Sequence, residues 1–481
     1  MIPISSTSSG APSLTATVVL GRSAPQVARR FEPLPDISFG ERTITSFVHR
    51  NGLRVIILPD PRSTVFAYHT WYRVGSRHER AGKTGIAHLF EHMMFKATKT
   101  FGDGVFDRSM EERGAQTNAA TWLDWTYYHE VLPASKGNLE FVASVEADRM
   151  VNLILNDTQL SSEREVVINE RRYRVEDDPD GQLSERLWAN ALDGHPYGWP
   201  TIGWMADIEG ITVADCEEFY RTYYAPNNAT LVVVGAVDSV HVLETIDRCY
   251  GHLPSSVLPP QVEPPHPIIP GASRETLSLP LSADRLYLGY IGPGIGHSDA
   301  PALEVAVELL LGGDSSRLER RLIDQLELAV SIDGFSPQFR YPGLVEIAAT
   351  ARVPGSSAAI EAELLSEIAR LAKYGPTPAE VIKARRQVVS TLYRTSYAAN
   401  AMAGKFGFYD ATLGDVGAFP RAIDALKLVG ADDIQRAVST YLSPDRRATV
   451  IGLPNGEAPA VSDAADEDDD DDDHERQGGE A

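Results

Sequence analysis

The stretch Gly85-Ile86-Ala87-His88-Leu89-Phe90-Glu91-His92-Met93-Met94-Phe95 decides how the rest of the chain is read. On a helix, positions i and i+4 share a face, so His88 and His92 can both reach one metal ion. Glu91 lies between them on nearly the same face and can touch a water on that ion. The order H-x-x-E-H inverts the H-E-x-x-H helix and suits zinc-assisted hydrolysis of a peptide bond. A histidine pair at this spacing also occurs without a metal. The intervening Glu91 favours the metal, because a buried carboxylate without a partner is costly.

Catalytic zinc takes three protein ligands and a water, so a third ligand is required. The two cysteines, Cys216 and Cys249, lack a suitable context. Downstream, Ser162-Glu163-Arg164-Glu165 predicts a capping box that opens a helix running to about Val175. Glu163 and Glu170 fall two turns apart on one face of it. Glu170 is the better ligand candidate, and Glu163 is a carboxylate that can orient a ligand from behind. By residue type alone Glu165 or Glu176 serves as well. The same helix also reads as a solvated acidic surface flanked by Arg164, Arg171 and Arg172.

Around these motifs strands and helices mix. Leu53 to Leu58, Val65 to Val74, Thr126 to Leu132 and Ala229 to Gly235 read as strands; Thr84 to Phe95 and Gly137 to Leu153 read as helices. The proline-rich segment 256–274 reads as a stiff linker between halves of similar size. The halves look like diverged copies. Tyr224-Ala225-Pro226-Asn227 is echoed by Leu442-Ser443-Pro444-Asp445, an offset of 218 residues. Tyr128-His129-Glu130-Val131-Leu132-Pro133 is echoed by Ala349-Thr350-Ala351-Arg352-Val353-Pro354, an offset of 221 residues. Thr158 to Glu163 is echoed by Thr377 to Ile382. The order fits an α+β fold of two homologous sandwich domains, residues 40–255 and 275–455, each a mainly antiparallel sheet packed with helices.

The net charge of −23 is unevenly placed, with twelve acids and one arginine from Glu457 onward. The run Asp466 to Asp473 cannot pack and is expected to be disordered, either as a solubilising tail or as a binding or autoregulatory segment. The remaining body is still acidic, which disfavours nucleic acid and anionic membrane and is compatible with basic or neutral peptides. No apolar stretch approaches the roughly 20 residues needed to span a bilayer. Two cysteines suit buried thiols in a reducing compartment, and a cytoplasmic location is expected. Residues 1–31 hold no acid and include Arg22, Arg29 and Arg30, which loosely resembles an organelle transit peptide. The Gly, Pro and Ser content of residues 3–13 spoils any amphipathic helix there, so residues 1–39 read as a flexible extension.

Taken with these motifs, the chain resembles the pitrilysin-type inverzincins, the family of mitochondrial processing peptidases and insulin-degrading enzymes. It is most similar to the short two-domain bacterial members, over roughly residues 40 to 455. The resemblance implies that His88 and His92 bind one Zn2+ per chain, that Glu91 is the catalytic base, and that Glu163-x6-Glu170 supplies a supporting catalytic acid and the third ligand. Gly114 to Tyr128 is similar to a family stretch whose edge strand pairs with substrate backbone, which implies substrate contacts from Asn118, Ala119 and Tyr128. His195-Pro196-Tyr197-Gly198-Trp199-Pro200-Thr201-Ile202-Gly203 matches a family loop in which His195 is structural or substrate-proximal rather than a ligand. The family's second-half Arg and Tyr, which help bind substrate and stabilise the transition state, fall here on Ile323 and Val330. Neither can donate a side-chain hydrogen bond.

The resemblance therefore implies a zinc metalloendopeptidase acting on small or extended polypeptides. A homologous subunit would supply the missing pair in a hetero-oligomer, unless Arg320 or Arg321 is rewired to the task. The alternative is a non-catalytic, core-type assembly subunit of the same fold. General peptide turnover and maturation of one peptide product are not separable from sequence.

Overall fold

The computed structural model describes residues 29–457. The acidic run and most of the N-terminal extension lie outside the described residues. In chain order the first sheet holds β1 (Phe31–Pro33), β2 (Ile37–Phe39), β3 (Arg42–His49), β4 (Arg54–Pro59), β5 (Val65–Tyr72), β6 (Gln116–Thr121), β7 (Thr126–Pro133) and β8 (Ala229–Gly235). Side by side they run β1-β3-β4-β8-β5-β7-β6, with β2 on β3. The second sheet holds β9 (Ser273–Leu279), β10 (Arg285–Gly292), β11 (Ala329–Phe335), β12 (Gly343–Ala351) and β13 (Ala448–Pro454), in the order β11-β12-β10-β13-β9.

The repeat suggested by the sequence is visible in this topology. The path β4-β8-β5-β7-β6 is reproduced by β9-β13-β10-β12-β11. In both, the first pair is parallel and the others are antiparallel. β8 reads Ala-Thr-Leu-Val-Val-Val-Gly and is buried along its whole length, as a central strand covered on both faces must be.

The helices that position the site and join the halves are α1 (Ile86–Met93), α2 (Asp157–Arg171), α3 (Pro179–Ala191), α4 (Ala300–Leu311), α5 (Pro378–Arg394), α6 (Ala399–Leu413) and α7 (Ala418–Leu428). α1 and α2 pack on each other within the first half. Two helices cross over. α3 leaves the first half to pack on β10 and β13, and α6 leaves the second half to pack on β5 and β8. Small residues permit the close fit: a Cβ on Gly407 of α6 would meet the Trp71 indole at 2.0 Å. At the centre of this contact the Asp410 carboxylate is fully buried and meets Arg54 at 2.6 Å and Arg73 at 2.8 Å. It also accepts a hydrogen bond from Thr230 Oγ1 at 2.7 Å.

Two expectations are corrected. The flexible extension was expected to reach residue 39, but Phe31–Pro33 pairs with Phe47–His49 and Ile37–Phe39 pairs with Arg42–Ile44. Phe31 is buried against Phe47 and His49, and that burial secures the short strand. The helix expected to open at Ser162 opens earlier, at Asp157. There Asn156 Oδ1 accepts from Gln159 N at 3.0 Å, so the N-cap is an asparagine and Ser162 is interior. The proline-rich segment carries no helix or strand between Leu253 and Pro270.

Candidate metal centre

α1 has only eight residues and would not hold as an isolated helix. Burial of Ile86, Ala87, Leu89, Phe90 and Met93 fixes it. Its start is fixed from three sides. Glu79 accepts hydrogen bonds from Gly85 N at 3.0 Å and Ala87 N at 2.8 Å, filling two of the donors that a helix N-terminus leaves unpaired. Burial pushes the Glu79 carboxyl up to about 8 against the pull of these two donors. Thr84 Oγ1 donates to Asp207 at 2.7 Å and accepts from Trp204 N at 2.9 Å. Gly85 has φ +88°, and a Cβ there would meet Ile202 O at 2.4 Å. Only glycine tolerates that conformation and that approach.

With α1 fixed, the His88 and His92 rings lie with centroids 4.8 Å apart. α2 brings Glu170 between them. Its Oε1 is 3.5 Å from His88 Nε2, and its Oε2 is 3.4 Å from His92 Nε2. Donor atoms of His88, His92 and Glu170 all fall within 4.8 Å of one another, and this is the one such cluster of three among the described residues. Bonds of about 2.0–2.1 Å to a tetrahedral zinc would separate donor atoms by about 3.3 Å, close to these spacings. Two imidazole nitrogens and one carboxylate form a donor set that zinc accepts. Glu91 Oε2 and Glu170 Oε2 are sealed from solvent without a hydrogen-bond partner, as expected of a site completed by a bound group. The residues therefore fit zinc.

Burial disfavours ionisation of Glu170, but the adjacent His88 and His92 rings outweigh it and hold the carboxyl well below the usual range. Burial likewise favours neutral His88, yet the contacts with Glu170 raise it to about 8. Glu163 sits behind the cluster. Its carboxylate is 3.9 Å from His92 Nδ1 and pairs with Lys96 Nζ at 2.7 Å. Arg174 approaches Glu170 Oε1 at 3.4 Å. The alternatives Glu165 and Glu176 do not join the cluster: Glu165 is exposed on the opposite side of α2, and Glu176 pairs with Arg171 at 3.1 Å.

The other expected site residues separate into two groups. Among the described residues β6 pairs only with β7 and presents an open edge carrying Asn118 and Ala119. Asn118 Oδ1 accepts from Ala119 N at 2.7 Å. Tyr128 does not belong with them. It is fully buried, points from β7 toward α1, and contacts Tyr224 Oη at 2.9 Å. Strand alternation places it on the core face, so its expected contact with substrate is corrected to a packing role beneath the metal helix. His195 is buried and accepts from Tyr197 N at 3.1 Å, and burial lowers it to about 4. Gly203, at the end of the same loop, packs on Gly85, and its carbonyl accepts from Arg171 Nη1 at 2.8 Å. That loop buttresses α1.

Three residues of the site escaped the sequence reading. Glu79 and Lys96 flank α1 at its two ends, and Arg174 follows α2. A carboxylate just ahead of a short helix is the signal that would have found Glu79.

In the second half, Ile323 is partly buried against the core and Val330 is about half exposed on the edge strand β11. Arg321 is engaged by Glu363 at 2.9 Å.

Comparison with known proteins agrees with this architecture. Residues 54–203 match the family model described as Insulinase (Peptidase family M16). Residues 210–388 match that of the Peptidase M16 inactive domain. The zinc protease PqqE of Helicobacter pylori is 31% identical over 366 residues, covering 75% of this chain and 82% of its own. The uncharacterized zinc protease YmxG of Bacillus subtilis is 24% identical over 425 residues, covering 87% of this chain and 100% of its own. A solved protease from Helicobacter pylori superposes with a TM-score of 0.81 at 30% identity, over 85% of this chain and 99% of its own. A putative M16-like peptidase from Alicyclobacillus acidocaldarius shares the fold, with a TM-score of 0.77 at 21% identity over 87% of this chain and 99% of its own. With both halves of its body matched by models of one family and a relative 31% identical across three quarters of its length, the chain belongs to peptidase family M16.

Proposed function

We propose that the chain is the catalytic subunit of a zinc metalloendopeptidase that cleaves small or extended polypeptides. The observation that carries this reading is the convergence of His88, His92 and Glu170 beside the unpaired Glu91 carboxylate. A zinc ion held by those three side chains supplies Lewis-acid polarisation of the scissile carbonyl and of a water. Glu91 takes the proton of the attacking water and later delivers it to the leaving amine. Glu163, backed by Lys96, holds His92 in orientation. The open edge of β6 pairs with the substrate main chain, which suits cleavage of many sequences.

Oxyanion stabilisation calls for a further donor, and the positions Ile323 and Val330 offer none. A homologous subunit that lacks the metal motif but carries an Arg and a Tyr at those positions would complete the site. The test is peptide-library cleavage by this chain alone, by the chain co-expressed with such a relative, and by the Glu91→Gln complex. The reading expects strong cleavage only from the wild-type pair, with Glu91→Gln reducing it at least ~1,000-fold. Equal activity of the lone chain would remove the split site. Equal activity of Glu91→Gln would remove the mechanism.

A further inference from the structure

α5 and α7 of the second half frame an open groove of about 910 Å³ lined by Arg385, Arg386, Ser390, Tyr393, Arg394 and Lys427 with Tyr397 at one end. On α5 the residues Arg386, Ser390, Tyr393 and Arg394 follow helical spacing, with Tyr397 just beyond its end, and all five are exposed. Tyr397 is 90% exposed and Tyr393 49% exposed, an uncommon display of aromatic surface. The four cations are poorly compensated. Arg385 donates to the Val429 carbonyl and Arg394 to Thr391 Oγ1. Among the described residues only Lys427 has a carboxylate partner, Asp424 at 3.1 Å. Both members of that pair are well exposed, so it is worth little. This is a basic island on a chain whose net charge is −23.

The same chain carries the complementary segment. Asp466 to Asp473 is an unbroken run of eight acids. It begins nine residues beyond Glu457, the last described residue. Extended chain reaches about 30 Å over nine residues and about 55 Å over sixteen. A globule of this size has a radius of gyration of about 22 Å, so the run can reach most of the surface. The exposed stripe on α5, from Arg386 to Arg394, is about 12 Å long, which matches roughly four extended residues better than one compact anion. Ser390 and the two tyrosines add hydroxyl donors for carboxylates. Tethering supplies an effective concentration of about a millimolar without any new contact.

We infer that the groove between α5 and α7 docks the chain's own acidic segment, Asp466 to Asp473. The docked run neutralises the island and closes this face to other acidic partners.

The test uses the full-length chain at low salt, treated with a water-soluble carbodiimide that joins amines to carboxylates in contact. Cross-linked peptides are located by mass spectrometry, with a mixture of light and heavy isotope-labelled chains separating links within one chain from links between two. The expected result is a link within one chain from Lys427 to residues 466–473. Its yield falls at least ~10-fold in Arg386→Glu/Arg394→Glu and in 0.5 M salt, as exposed charge pairs should behave. The inference is overturned if the tail's links spread over other lysines without enrichment at Lys427. It is also overturned if the double variant leaves the yield unchanged, or if the links join only separate chains. Loss of the link in inorganic phosphate, at an ionic strength where sodium chloride leaves it intact, would assign the groove to a phosphate ligand instead.

Discussion

At the scale of single residues, the site is a set of side chains whose freedom has been removed before any ligand arrives. Glu170 reaches both imidazoles, and Glu163 and Lys96 stand behind His92. Glu79 holds the first turn of α1 through two backbone donors, one of them next in sequence to His88. Glu79→Ala would leave both donors unpaired, so it should cost about 1–3 kcal/mol of stability. It should also weaken zinc binding by about 10–100-fold, the usual effect of losing a group that positions a ligand. Chelator competition on the folded variant measures the second effect; unchanged zinc affinity would reduce Glu79 to a purely structural cap. Residue type left Glu165 and Glu176 open beside Glu170, but the histidine pair was legible because helical spacing puts His88 and His92 on one face. Tyr128 was not, because sequence gives the alternation of a strand but not which face meets the core. Glu79 was hidden because its partners are backbone groups across a glycine turn.

At the scale of elements, the two sheets are held together by exchanged helices whose contacts include buried acids. Glu346 of β12 accepts from Trp188 Nε1 of α3 at 2.7 Å, and burial raises its carboxyl from 4.5 to about 7 despite that bond. The folded chain thus keeps a proton here that the unfolded chain has released. The stabilisation is full below about 4.5 and is lost as the pH rises through about 7. Glu346→Gln should flatten that part of the stability profile and be more stable than wild type at pH 8 by about 2–3 kcal/mol. Denaturant unfolding at pH 5 and pH 8 measures it; parallel profiles for the two proteins would contradict the assignment. The elements themselves were largely readable from apolar runs such as β8. The start of α2 was missed because a second cap, Asn156, precedes the motif at Ser162. β1 and β2 were missed because three-residue strands carry too little pattern, and pairing to β3 creates them.

At the scale of the whole molecule, the halves repeat one topology but divide the chemistry. The first carries the His88, His92 and Glu170 cluster; the second covers the first sheet with α6. The Asp410 carboxylate ties that helix to Arg54 and Arg73. Asp410→Ala leaves two arginines without their buried partner and should destabilise the chain by about 3–5 kcal/mol in denaturant titration. A loss under about 1 kcal/mol would mean the crossover rests on apolar packing alone. The duplication was legible from echoes near one spacing, whereas the exchange of α3 and α6 was not, since no local pattern says which sheet a helix will cover. The account rests on one ion held by three side chains from two helices. Its most direct test is the zinc content of the purified chain beside folded Glu170→Gln. The expected result is about one zinc per wild-type chain and under about 0.1 in the variant. Equal zinc in both, or none in either after zinc is supplied, would contradict it.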